Sequence, residues 1–126
     1  MNKIVVIGGV AAGLKAASKA RRNDPEAQIT VVERGDIISY GACGMPYYVG
    51  GAIEELDALI VNTPEKYTRL TGARVLTGWE AIAVDPAAKT VQARTEAGEE
   101  QSFAYDELVI TTGASAVLPP IPGMDK

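Results

Sequence analysis

The first 33 residues constrain the fold more than any other stretch. Ile4-Val5-Val6-Ile7 is a short, wholly β-branched apolar run, which predicts a strand over Lys3–Ile7 buried on both faces. Gly8-Gly9-Val10-Ala11-Ala12-Gly13 follows, and Ala12–Arg22 is rich in the helix formers Ala, Lys and Arg. Asn23-Asp24-Pro25 stops that helix, and Gln28–Glu33 reads as a second strand. Strand, glycine turn, helix and strand within about 30 residues open a parallel α/β sheet with a right-handed crossover.

Beyond Glu33 the pattern changes. Residues 34–62 have no sustained period, apart from a short helix expected to start near Cys43. Thr63-Pro64-Glu65-Lys66 predicts a helix start, with Thr as N-cap and Pro at the first position, and the helix should end near Gly72. Strands are expected over Arg74–Leu76, Glu80–Val84, Thr90–Arg94 and Gln101–Tyr105, so that 79–105 forms an antiparallel meander. Leu108–Thr112 reads as another buried strand, ending in Gly113. Pro119-Pro120-Ile121-Pro122-Gly123 reads as a stiff extended exit. The expected fold class is α/β: a Rossmann-like parallel sheet with a three-stranded antiparallel meander, a partial FAD/NAD(P)-binding domain.

Composition narrows the chemistry. The chain has 126 residues, enough for one domain with a core. Its charge of 12 − 16 = −4 argues against nucleic acid or anionic membrane as a partner. There is no histidine, which removes a Ser-His-Asp triad and histidine metal sites. A single cysteine, Cys43, can form neither an internal disulfide nor a Cys-x-x-Cys metal site, so no metal site is expected. Two uncharged stretches of 17 residues, Ile37–Ile53 and Leu108–Met124, are broken by Gly and Pro and are short for a membrane span. Nothing at the start resembles a signal peptide, and a cytoplasmic location is expected.

The glycine turn carries the first functional expectation. A G-x-G-x-x-G turn lets a helix N-terminus approach a pyrophosphate, whose charge its dipole and free N–H groups favour. Gly8 and Gly13 fit the first and third glycines, while Val10 holds the middle position. Glu33, at a strand end 20 residues past Gly13, is placed to accept hydrogen bonds from ribose hydroxyls. Together these predict dinucleotide binding.

Residues 1–23 hold Lys3, Lys15, Lys19, Arg21 and Arg22 and no acid. Lys15, Lys19 and Arg22 share one helix face, which by spacing alone reads as a solvated face. Cys43 lies in Ser39-Tyr40-Gly41-Ala42-Cys43-Gly44-Met45-Pro46-Tyr47-Tyr48-Val49-Gly50-Gly51. At a helix start its thiolate would be favoured, and a thiolate is the attacking species in disulfide exchange.

Ile7–Gly13, Ser39–Tyr47 and Thr63–Lys66 together resemble the single-cysteine FAD-dependent pyridine nucleotide-disulfide oxidoreductases, in the coenzyme A disulfide reductase and NADH:persulfide oxidoreductase branch. Thr111-Thr112-Gly113-Ala114 is similar to the family's second flavin motif. The resemblance implies that Gly8, Gly9, Val10, Ala11, Ala12, Gly13, Glu33 and Arg34 contact the ADP half of FAD. It further implies that Ala81 meets the adenine and that Thr112 and Gly113 pass near the pyrophosphate or ribityl chain. Cys43 is implied as the redox thiol, and Lys15, Lys19, Arg22 and Ser39 as contacts to a CoA-type substrate, in place of the solvated face that spacing favours. Two positions depart from the branch: Ala42 stands where Asn is common, and Thr71 where a basic residue is expected, with Arg69 as a substitute.

The implied activity is reduction of a CoA disulfide, CoA persulfide or polysulfide by NAD(P)H through FAD and Cys43. An NADH oxidase or peroxidase using a cysteine sulfenic acid, and a catalytically silent nucleotide-binding fragment, are the alternatives. The resemblance also implies that residues 1–126 are the N-terminal part of the FAD-binding domain. The NAD(P)H and dimerisation domains of a homodimeric enzyme would then lie outside this chain, which would not turn over alone and would expose an apolar edge.

Overall fold

Strand β1 (Lys3–Ile7) lies between β2 (Gln28–Glu33) and β7 (Glu107–Ile110), parallel to both. With β3 (Arg74–Thr77) the parallel sheet has the order β3-β2-β1-β7. The computed structural model describes residues 1–124, so the last two positions of the expected 1–126 span lie outside the described residues.

The β-branched run of β1 explains the layering. Successive side chains point to opposite faces. Ile4 and Val6 join Leu14 and Ala17 of α1 (Ala11–Asn23), with Ile29, Val31, Ile38, Tyr67 and Ala73, in one buried cluster. Val5 and Ile7 join Val32, Val91, Ala93 and Phe103 in a second cluster on the other face. A strand buried on both faces needs apolar residues at every position, as Ile4–Ile7 supplies. Each such side chain contributes roughly 1.5–3 kcal/mol by leaving water.

The second face is covered by the meander β4 (Trp79–Asp85), β5 (Thr90–Thr95) and β6 (Glu100–Ala104), whose strands pair antiparallel in that order. The other face carries α1 and α3 (Pro64–Thr71). Thr63 caps α3: its Oγ1 accepts from the Lys66 N–H at 3.2 Å. The α3 C-terminus is tied to α1 by Arg21, whose Nε donates to the Thr71 carbonyl at 2.7 Å and whose Nη1 donates to the Pro25 carbonyl.

Two expectations need correction, and a third, the short helix near Cys43, is found with more detail. The strand expected over 108–112 as buried spans Glu107–Ile110 and is a sheet edge among the described residues; Leu108 and Val109 are partly buried and Ile110 is 62% exposed. Thr111 follows the strand, and both its N–H and its hydroxyl donate to the Ile7 carbonyl, each at 2.8 Å. Residues 119–124 are not simply extended: the Ile121 N–H donates to the Pro119 carbonyl and the Met124 N–H to the Ile121 carbonyl, closing turns. The short helix expected near Cys43 is two pieces, a 3₁₀ turn over Ala42–Gly44 and then α2 (Met45–Val49).

Candidate functional site

The glycine turn joins β1 to α1 at the carboxyl end of the sheet, where ligands of open α/β sheets bind. Gly8 has φ +105, and a Cβ there would lie 2.2 Å from the Thr111 carbonyl oxygen. A Cβ on Gly13 would lie 1.8 Å from the Gly8 carbonyl oxygen. Both positions therefore exclude any side chain, and the turn can press backbone against a ligand. Val10 N-caps α1 without a side-chain hydrogen bond, and the first turn holds no acid. No side chain caps the leading N–H groups of α1, which suits them to an anion.

Glu33 ends β2 beside that turn. Its Oε2 accepts from the Gly9 N–H at 2.7 Å and its Oε1 from the Gly35 N–H at 2.8 Å. Each oxygen retains a lone pair, so a ribose hydroxyl can still donate to it. Ile7, Gly8, Glu33, Arg34, Trp79, Glu80, Ala81, Thr112 and Gly113 are among the residues lining a cleft of about 290 Å³ between the sheet and the meander.

A second cleft, of about 300 Å³, opens across α1. Ala11, Leu14, Lys15, Ser39, Val61, Asn62 and Tyr67 are among its lining residues. Its polar floor is already satisfied: the Tyr67 hydroxyl donates to the Leu14 carbonyl at 2.7 Å and accepts from Ser18 Oγ at 2.7 Å. Asn62 Nδ2 donates to Ser39 Oγ at 3.2 Å.

Gly9 links a residue of each cleft through its two flanking peptides. Its N–H points to Glu33, and its carbonyl accepts the Ser39 N–H at 3.0 Å. Ser39 holds a left-handed backbone, φ +54, which costs a non-glycine residue about 1–2 kcal/mol. The strain is held by the bond to Gly9, by the Val61 N–H donating to the Ser39 carbonyl, and by Asn62. Four residues on, Cys43 sits exposed in the 3₁₀ turn just before α2.

A sequence profile described as "Pyridine nucleotide-disulphide oxidoreductase" matches residues 2–126. The chain belongs to that family. Among its oxidoreductase relatives, an NADH oxidase of Enterococcus faecalis is 40% identical over 124 residues, covering 98% of this chain and 28% of the relative. A coenzyme A disulfide reductase of Staphylococcus aureus is 38% identical over 117 residues, covering 92% of this chain and 27% of the relative. The solved structure of an NAD-dependent persulfide reductase from A. fulgidus superposes with a TM-score of 0.90 at 47% identity, covering 98% of this chain and 23% of that one. The chain thus spans about a quarter of the length of these oxidoreductases. The Rossmann-like fold expected from the sequence is the fold of this family.

The expected site residues fall into three groups. Gly8, Glu33, Arg34, Ala81, Thr112 and Gly113 line the cleft between sheet and meander. Ala11, Lys15 and Ser39 line the cleft across α1. Gly9, Val10, Ala12, Gly13, Lys19, Arg22 and Cys43 line neither. Thr71 is not free to replace a basic ligand-binding residue, because its hydroxyl donates to the Tyr67 carbonyl and accepts from the Ala73 N–H.

Several contributors escape sequence reading. Trp79 lines the first cleft, Asn62 and Tyr67 line the second, and Thr111 clamps the glycine turn. Only the Thr111-Thr112-Gly113 run carried a signal for any of them. No group of three or more His, Cys, Asp or Glu side chains among the described residues could hold a metal ion, and no helix among them is long and apolar enough to cross a membrane.

Proposed function

We propose that residues 1–126 are the N-terminal part of the FAD-binding domain of an NAD(P)H-dependent disulfide or persulfide reductase. The observation that carries the reading is the hydrogen bonding of Gly9: its N–H donates to the Glu33 carboxylate and its carbonyl accepts from Ser39, so the side-chain-free turn connects that carboxylate to the left-handed residue that leads to Cys43. Gly8, Glu33, Arg34, Ala81, Thr112 and Gly113 would hold the ADP half of FAD. Glu33 would bind the ribose, and the N–H groups at the start of α1 would face the pyrophosphate. Bound there, FAD would supply two electrons drawn from NAD(P)H.

Cys43 does the sulfur chemistry. Its thiolate attacks one sulfur of the substrate disulfide, forming a Cys43–S–S–R bond and releasing the other half as a thiolate. Two electrons then break that bond and return the Cys43 thiolate with the second thiolate product. Lys15 and Ser39, at the cleft across α1, would hold the body of a CoA-type or sulfur-bearing substrate, and Lys19 and Arg22 extend positive charge along the same helix. The NADH oxidase among the relatives supports a second reading, in which Cys43 cycles through a sulfenic acid.

In the longer protein, Cys43→Ser should abolish disulfide reduction and leave FAD bound; surviving turnover defeats the thiol mechanism. The mass carried by Cys43 in freshly purified protein separates the substrates: a CoA adduct or a persulfide supports the reductase, a sulfenic acid the oxidase.

A further inference from the structure

We infer that Asn62 is a positioning residue for the substrate: it fixes the Ser39 hydroxyl as a hydrogen-bond donor into the cleft across α1. The inference rests on the reading of that cleft given above and concerns a residue that none of the sequence motifs includes. Asn62 Nδ2 donates to Ser39 Oγ at 3.2 Å, and both residues are half-buried at the cleft. A serine oxygen that already accepts from an amide keeps its own hydrogen for another acceptor. Among the described residues no group takes that hydrogen. The Tyr67 hydroxyl gives its hydrogen to the Leu14 carbonyl and receives that of Ser18, so neither of those hydroxyls has one left for a ligand. Free hydrogens remain on Ser39 and on the exposed ammonium of Lys15. That pair suits an acceptor oxygen, such as a phosphate or amide carbonyl oxygen of a CoA-type substrate.

The backbone holds the Asn62 amide in place from both sides. Residues 39–41 run antiparallel to 59–61: the Val61 N–H donates to the Ser39 carbonyl at 3.0 Å, the Gly41 N–H donates to the Leu59 carbonyl at 2.8 Å, and Tyr40 pairs with Ile60. Directly after Asn62, Thr63 caps α3. The amide therefore has little freedom to lose when it holds Ser39. Ser39 itself keeps φ +54, a conformation that glycine or asparagine adopts more readily. Strain that the surrounding structure maintains clusters at functional sites. A glycine would relieve it here, but would lack the hydroxyl that Asn62 orients.

In the longer enzyme, CoA disulfide is the probe for turnover, and CoA, the product thiol, is the probe for binding by calorimetry. N62A should raise KM for CoA disulfide about fivefold and weaken CoA by the same factor, with kcat within about twofold. S39A should raise KM about as far, and S39A/N62A should lose no more than S39A alone, because Asn62 acts through that hydroxyl. N62D keeps the shape of the side chain but makes it an acceptor, which draws the Ser39 hydrogen away from the cleft and should raise KM about thirtyfold. The inference is overturned, with the reading of the cleft intact, if N62A or N62D leaves KM and CoA binding unmoved, if kcat falls in place of a rise in KM, or if the losses of N62A and S39A multiply in the double variant. An unaltered enzyme that neither turns over CoA disulfide nor binds CoA would overturn the reading of the cleft and this inference with it.

Discussion

On one side of Gly9 the chain builds a wall from backbone and buried strands; on the other it hangs an exposed cysteine on a few hydrogen bonds. The nucleotide side is backed by β1 and β2, whose Val5, Val6, Val31 and Val32 are almost wholly buried, and by two glycines that tolerate no Cβ. The cysteine side is different. Neither the 3₁₀ turn holding Cys43 nor α2 contains a buried residue. That segment is anchored by Ser39 on Gly9, by the Gly41 N–H on the Leu59 carbonyl at 2.8 Å, and by the buried side chain of Leu59 beside Gly44. Leu59 belongs to neither core cluster. Buried packing is thus concentrated behind the glycine turn, and few buried contacts hold the segment around Cys43, which predicts that this segment opens more readily.

The sharpest way to break this contrast is Gly13→Ala. A methyl group 1.8 Å from the Gly8 carbonyl oxygen cannot be accommodated without moving β1 against α1. The expected cost is about 3 kcal/mol, the upper end for overpacking, with loss of FAD binding; thermal unfolding and flavin titration measure both. Leu59→Ala acts on the other side. It should cost about 2–3 kcal/mol locally, and hydrogen exchange should quicken over residues 41–53 while β1 and β2 keep their protection. Uniform loss of protection would show that the two sides are one cooperative unit.

Tyr67→Phe probes the contact that closes the second cleft. Removing the hydroxyl leaves the Ser18 hydroxyl without its partner and takes a hydrogen bond from the Leu14 carbonyl, for about 1–2 kcal/mol in urea denaturation. The smallest effect concerns α3. A bond from its own backbone N–H, then one from the Thr63 hydroxyl, hold the Glu65 carboxyl below its ordinary value, with Arg69 adding to them. A carboxyl whose pKa is lowered by folding stabilises above its unfolded value, and that contribution is lost as pH falls below about 4.5 and through the folded value. Exchange at the start of α3 should therefore quicken on acidification, and Thr63→Ala should flatten that response while costing about 1 kcal/mol.

The sequence made one side far more legible than the other. The β-branched run, the Ala-rich helix and the Thr63-Pro64 start locate β1, α1, β2 and α3 within a residue or so, because burial and capping act through local patterns. The cysteine segment has no such period, and its shape follows from Gly44 closing on Leu59, fifteen residues away. The basic residues of the first 23 positions were legible only as charge. Lys15 of the shared face reaches a cleft, while Arg21, off that face, spends its guanidinium on the Thr71, Pro25 and Gly72 carbonyls, contacts that spacing along α1 does not reveal. Edge position likewise decided the exposure of β7, since Leu108-Val109-Ile110 is as apolar as β1 but lies at the end of the sheet.

A crystal structure of the longer protein with FAD bound tests the central claim most directly. The account predicts the ribose of the adenylate half on Glu33, its pyrophosphate at the start of α1, and the flavin ring beside Cys43. A flavin seated away from the Gly8–Gly13 turn, or a ring remote from the Cys43 sulfur, would contradict it.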